Sequence, residues 1–116
     1  MNDDVFLTEN IIQYCNRIQE AVDRFGADED DFIHDQQYHD VCSFYITQVR
    51  ENIKSLSSEL IQKYPEIHWR GLIGMRNIIS HAYRDIDFEI IWVTILNEVP
   101  LLKETCEKIL KELKRS

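Results

Sequence analysis

Residues 38–60 read "YHDVCSFYITQVRENIKSLSSEL", and this stretch decides the fold class. Tyr38, Cys42, Tyr45, Val49, Ile53, Leu56 and Leu60 recur at spacings of three and four. A strand would repeat every two residues, whereas this period lays one apolar stripe along a helix. The stripe predicts a helix from Asp35 to Lys63, with Pro65 ending it.

The same period continues on both sides. Upstream, Ile11, Cys15, Ile18, Val22 and Phe25 predict a first helix over 8–25, and Gly26 stands where a C-terminal cap belongs. The acidic residues 27–31 then read as a loop or irregular turn. Downstream, a third helix starts near His68 and carries Leu72, Ile73, Met75, Arg76 and Ile79. "RDID" at 84–87 reads as a break, and Asp87 is placed to cap the next helix. Phe88, Ile91, Ile95 and Val99 open that fourth helix, and Leu102, Cys106, Ile109 and Leu113 continue it. Pro100 should bend or split it. No strand pattern, repeat or low-complexity tract appears. The reading is all-α: an antiparallel bundle of four to five helices with a kinked C-terminal helix.

A chain of 116 residues fits a single helical domain over 1–116. Cys15, Cys42 and Cys106 are odd in number and far apart, which argues against a disulfide framework or a zinc site. "MNDDVFLTEN" at 1–10 lacks the apolar run of a signal peptide, and "EIIWVTIL" at 89–96 is far short of a membrane span. The expectation is a reduced, cytoplasmic, soluble protein.

The net charge of −8 is unevenly spread. Residues 1–40 hold eleven acids and two bases, while residues 41–116 hold ten acids and eleven bases. Residues 63–84 carry Lys63, Arg70, Arg76 and Arg84 against Glu66 alone. A protein this acidic should not bind duplex DNA indiscriminately, yet a local basic patch can hold a phosphate.

That patch contains "RNIISHAYRD", residues 76–85. Two guanidiniums, an imidazole and a phenol within nine positions form nearly the set that phosphate chemistry requires. Each residue also has an ordinary structural role. His81 could cap carbonyls at a helix end. Arg76 could pair with Glu66 or Asp87, and Tyr83 could be a half-buried aromatic at a helix terminus. Gly71 and Gly74 are read as letting helices pack closely, since no Gly-Lys-Ser/Thr makes them a phosphate loop. His34, Asp35, His39 and Asp40 are read as a solvated helix start, not a metal site. Trp69 and Trp92 are read as core or interface residues, and Arg70 and Arg84 as solvent-facing.

"SLSSEL" at 55–60 and "YPEIHWRGLIGMRNIISHAYRDIDFEIIW" at 64–92 closely resemble the HepT-like branch of the HEPN superfamily. The family signature is Arg, four residues, His, one residue, Tyr; here it is Arg76, "NIIS", His81, Ala82, Tyr83. Asn77 fits the family's polar residue after the arginine. One departure is "VRENIKSLS" at 49–57, where relatives commonly carry a Gly-Glu-Ala-like element. The resemblance implies a metal-independent endoribonuclease that works as a homodimer on RNA and needs no cofactor. It implies a toxin of a type II/VII-like toxin–antitoxin pair, whose partner is a nucleotidyltransferase antitoxin of the MntA type. That partner would transfer AMP to Tyr83 and silence the nuclease. The alternative is a non-catalytic helical binding partner of a nucleotidyltransferase.

The residue chemistry agrees with the first reading. Metal-free RNA cleavage needs a base for the 2′-hydroxyl and a positive group for the charged phosphorus centre. His81 titrates near neutrality, and the planar fork of Arg76 matches phosphate. Asn77 or Ser80 could position an oxygen or the imidazole. Tyr83 could contact phosphate or a base, and Arg84 could touch phosphate. On an ideal helix, residues five apart are turned by about 140° and residues seven apart nearly coincide. Arg76 and Tyr83 would share a face and His81 would not. Either the helix ends near Ser80, or two subunits complete the site across a two-fold axis.

Overall fold

The computed structural model describes residues 3–80 and 87–115, with the side chains of 75–80 outside the described set. Seven helices follow one another: α1 (Asp4–Phe25), α2 (Glu29–His34), α3 (Gln36–Ser55), α4 (Ser58–Lys63), α5 (Trp69–Ser80), α6 (Phe88–Asn97) and α7 (Val99–Arg115). No strand occurs among the described residues. The five longer helices are the bundle that the periodicity predicts. The six-residue helices α2 and α4 are additions.

Both additions have a local cause. Residues 27–31, expected as a loop, contain the start of α2. The Asp28 carboxylate accepts from the backbone N–H groups of Asp30 and Asp31 and starts the helix. Acids at Glu29, Asp30 and Asp31 then sit where the helix dipole favours negative charge. The helix expected over 35–63 is cut at Leu56 and Ser57, both extended in backbone. Ser57 is held from outside: its N–H (3.0 Å) and hydroxyl (2.6 Å) donate to the carboxylate of Asp4. The Ser57 hydroxyl oxygen in turn accepts from Leu60 N–H at 3.3 Å and starts α4. An apolar stripe cannot reveal this cut, because Leu56 and Leu60 stay buried on both sides of it.

The remaining boundaries follow the sequence closely. α1 starts one turn earlier than Thr8 and ends at Gly26, whose φ of 108° lies in the region glycine favours. Pro100 has no N–H, so α6 stops and α7 begins with Pro100 in its first turn, where no donor is needed.

α1 lies at the centre. Asp4 at its start meets Ser57 beyond α3, and Tyr38 near the start of α3 donates to Gly26 O at 2.9 Å. α1 and α3 are therefore antiparallel. Lys103 reaches Gln19 and Lys114 reaches Glu9, so α7 is antiparallel to α1 as well. Between these helices Ile11, Cys15, Ile18, Cys42, Leu102 and Cys106 are fully buried. The three thiols are free, and burial pushes those of Cys42 and Cys106 up to about 12 and that of Cys15 higher still. They are packing residues.

A second knot of rings joins α2 to α6. Phe32, fully buried, lies 5.0 Å from Tyr38 and 5.2 Å from Trp92 between ring centroids. Trp69 and Trp92 are buried, as expected for core residues. Among the described residues, no helix is long and apolar enough to cross a membrane.

Candidate active site

The motif begins at Arg76 in α5 and runs on in sequence towards α6, so the anchoring of these two helices frames the candidate site. α5 is fixed at its start. Trp69 Nε1 donates to Tyr64 O at 2.9 Å in the core, and Leu72 N donates to His68 O. Tyr64 donates its hydroxyl to Glu112 of α7, and burial together with that bond pushes the phenol up to about 12. Trp69 and Leu72 face inward, while Arg70 is solvent-facing as its sequence position suggests.

Midway along α5 a buried cation takes hold. Arg50 of α3 is only 2% exposed, and its Nε donates to the Ile73 carbonyl at 2.9 Å. Its Nη1 pairs with the half-exposed Glu51. Ile73 precedes Arg76 by three residues, about 4.5 Å along the axis. A guanidinium thus grips the backbone one turn ahead of the motif. Sequence reading passed over Arg50, because it lies off the apolar stripe; "VRENIKSLS", where the chain departs from the family pattern, was its only signal.

α6 is fixed at its start too. The Asp87 carboxylate accepts from Glu89 N (3.1 Å) and Ile90 N (3.3 Å), the capping role expected for it. The Phe88 ring stacks on His39, with centroids 4.1 Å apart. His39 Nδ1 donates to the carbonyls of Phe32 and Ile33, and His34 Nδ1 to that of Asp30. Asp35 caps α3 through Tyr38 N–H. His34, Asp35 and His39 are therefore occupied with the α2–α3 joint. Among the described residues, no group of three or more His, Cys, Asp or Glu could hold a metal ion.

A hollow of about 180 Å³ lies between the two helices, lined by His68, Gly71 and Gly74 on one side and Ile90, Thr94 and Glu98 on the other. The close helix packing expected at the glycines is not what the described residues show. A Cβ at Gly71 would strike the His68 ring, 2.6 Å away, and one at Gly74 would meet no described atom within 4 Å. Beside this hollow α6 exposes Ile90, Val93 and Leu96, followed by Leu101 of α7. Val93 is 52% exposed.

Arg76, Asn77 and Ser80 occupy the last two turns of α5, and their side chains lie outside the described residues. His81, Tyr83 and Arg84 lie outside them altogether. The backbone puts Arg76 and Ser80 four residues apart, one turn of helix.

Comparison with known proteins identifies the family. The model of the "Ribonuclease HepT-like" family matches residues 11–109. "Putative RNase TTE0752" of Caldanaerobacter subterraneus subsp. tengcongensis is 31% identical over 106 residues, 91% of this chain and 93% of that one. "Putative RNase MJ0127" of Methanocaldococcus jannaschii is 31% identical over 84 residues, covering 72% and 69%. "Probable ribonuclease HepT" of Thermococcus cleftensis is 29% identical over 82 residues, covering 71% and 74%. No solved structure matches significantly. The chain belongs to the ribonuclease HepT-like family, as the run over 64–92 implied.

Proposed function

We propose that this protein is a metal-independent endoribonuclease whose centre is Arg76 and His81. The observation that carries the reading is a complete Arg76-x4-His81-x-Tyr83 motif inside a family match spanning residues 11–109. His81 takes the proton of a ribose 2′-hydroxyl, and the 2′-oxygen attacks the adjacent phosphorus. Arg76 neutralises the charge that builds on the phosphoryl oxygens. The 5′-oxygen leaves with a proton drawn from water, and a 2′,3′-cyclic phosphate remains. Asn77 and Ser80 orient these groups, while Tyr83 and Arg84 hold the strand.

The working unit is a homodimer. The support is the apolar side of α6, the helix that follows the motif in sequence, where Ile90, Val93 and Leu96 stand exposed. A contiguous apolar patch of this kind marks an interaction surface. A two-fold axis there brings two motifs to one cleft and doubles the charge of Arg70, Arg76 and Arg84, offsetting the acidic N-terminal third. In the cytoplasm the nuclease acts as a toxin. A nucleotidyltransferase antitoxin transfers AMP to Tyr83, placing bulk and negative charge where the RNA phosphate must sit.

The activity is tested with purified protein and single-stranded RNA in a chelator. Cleavage leaving 2′,3′-cyclic phosphate ends is expected, and loss of cleavage on chelation would point to a metal enzyme. Control is tested by co-expression with a cognate nucleotidyltransferase and intact-mass measurement. An added AMP that disappears in Tyr83→Phe is expected. A mass increase that persists in that variant would move the modified site elsewhere.

A further inference from the structure

Arg17 and Arg24 are the two bases among residues 1–40, against eleven acids. Both line one hollow of about 350 Å³ between α1 and α3, within the size range of small-molecule sites. Seven residues apart, they share one face of α1 and stand about 10 Å apart along it. The small, buried Ala21 lies between them and leaves room at the floor. Across the hollow stand Tyr45 and Gln37 of α3. The Tyr45 ring belongs to an aromatic row, 6.1 Å from Tyr14 and 5.9 Å from the exposed Phe44. Among the described residues neither arginine is in an ion pair, and the Arg24 guanidinium lies over the Phe25 ring, 5.5 Å from its centroid. Glu20 is the one acid in the lining, so the hollow carries a net charge of about one positive.

We propose that this hollow binds a nucleotide, its phosphate on Arg17 and Arg24 and its base against Tyr45, with Gln37 at the base edge. Guanidinium forks suit phosphate, aromatic faces suit any base, and a side-chain amide can both donate and accept. The single excess charge equals that of one phosphodiester unit and offsets about half the charge of a terminal phosphate. The site is distinct from the motif: Tyr45 and Arg50 are five residues apart on α3, about 140° around the helix, and Arg50 faces α5. The nucleotide is either free in solution or one unit of an RNA strand.

The test uses full-length His81→Ala, so that no RNA is consumed, and titrates 5′-AMP, adenosine, inorganic phosphate and a single-stranded RNA hexamer. AMP should bind at least tenfold more tightly than adenosine or phosphate. Arg17→Gln with Arg24→Gln should weaken AMP binding at least tenfold at an unchanged melting temperature. If the source is RNA, the hexamer binds more tightly than AMP, and the double variant lowers its salt slope by about 1.4. Equal affinities identify a free nucleotide. The proposal is overturned if neither AMP nor the hexamer binds, or if the double variant binds both unchanged. Displacement by polyglutamate of a labelled acidic peptide, without nucleotide binding, would overturn it in favour of an acidic protein partner. His81→Ala keeps Arg76, Tyr83 and Arg84, so the loss caused by the Arg17→Gln and Arg24→Gln double variant, and not hexamer binding by itself, tests this hollow whatever the motif does.

Discussion

α1 and α6 are opposite solutions to placing apolar residues on a helix. α1 buries Ile11, Cys15 and Ile18 completely and meets neighbours on two sides. Polar residues of its first half are also engaged, Asp4 by Ser57 and Asn10 by Asn52. α6 buries Ile91, Trp92 and Ile95 but leaves Ile90, Val93 and Leu96 in solvent. Its apolar residues run almost around the helix, more than one core can cover. The central helix is covered within one chain, whereas α6, which follows the motif in sequence, keeps an apolar side exposed.

That contrast can be broken from either side. The largest stability effect should come from the ring knot that moors α6. Phe32→Ala deletes a fully buried ring and should cost about 3–5 kcal/mol by denaturant unfolding. A loss below about 1 kcal/mol would mean that α2 is not part of the core. Next come Val93→Asp and Leu96→Asp together. Light scattering should give a monomer, and cleavage should fall at least tenfold, while the circular dichroism of the helices is retained. An unchanged dimer would remove α6 from the interface. Asp87→Ala deletes the cap of α6 and should cost about 1 kcal/mol. Gly74→Ala should change stability least, raising it by up to about 1 kcal/mol, because no described atom opposes the new methyl. A destabilising result would show that the hollow beside Gly74 is filled.

The sequence carried the long helices because each holds an apolar stripe that burial enforces. Tyr38, Cys42, Val49 and Ile53 are buried as their spacing predicts, and Gly26 and Asp87 act as the caps they resemble. The division at Ser57 was illegible because its cause is Asp4, 53 residues away. α2 was hidden because a run of acids reads as solvated loop, although one of them caps the helix. For the site, the motif was legible as a pattern of residue types, whereas its support was not. Arg50 reaches α5 only after α3 and α5 pack, and the departure from the family pattern at "VRENIKSLS" marks the place but not the contact. The exposed side of α6 could have been found, since "EIIWVTIL" offers more apolar positions than one helical face holds.

On the proposed function, Arg76 and His81 perform the chemistry. The most direct test is the cleavage rate of purified His81→Ala and Arg76→Ala on one RNA, beside the wild-type chain. Each variant should melt within a few degrees of the wild type and cleave roughly 10²- to 10⁴-fold more slowly, the range for losing a general base or a charge-stabilising group. Undiminished cleavage by a well-folded His81→Ala protein would contradict the account.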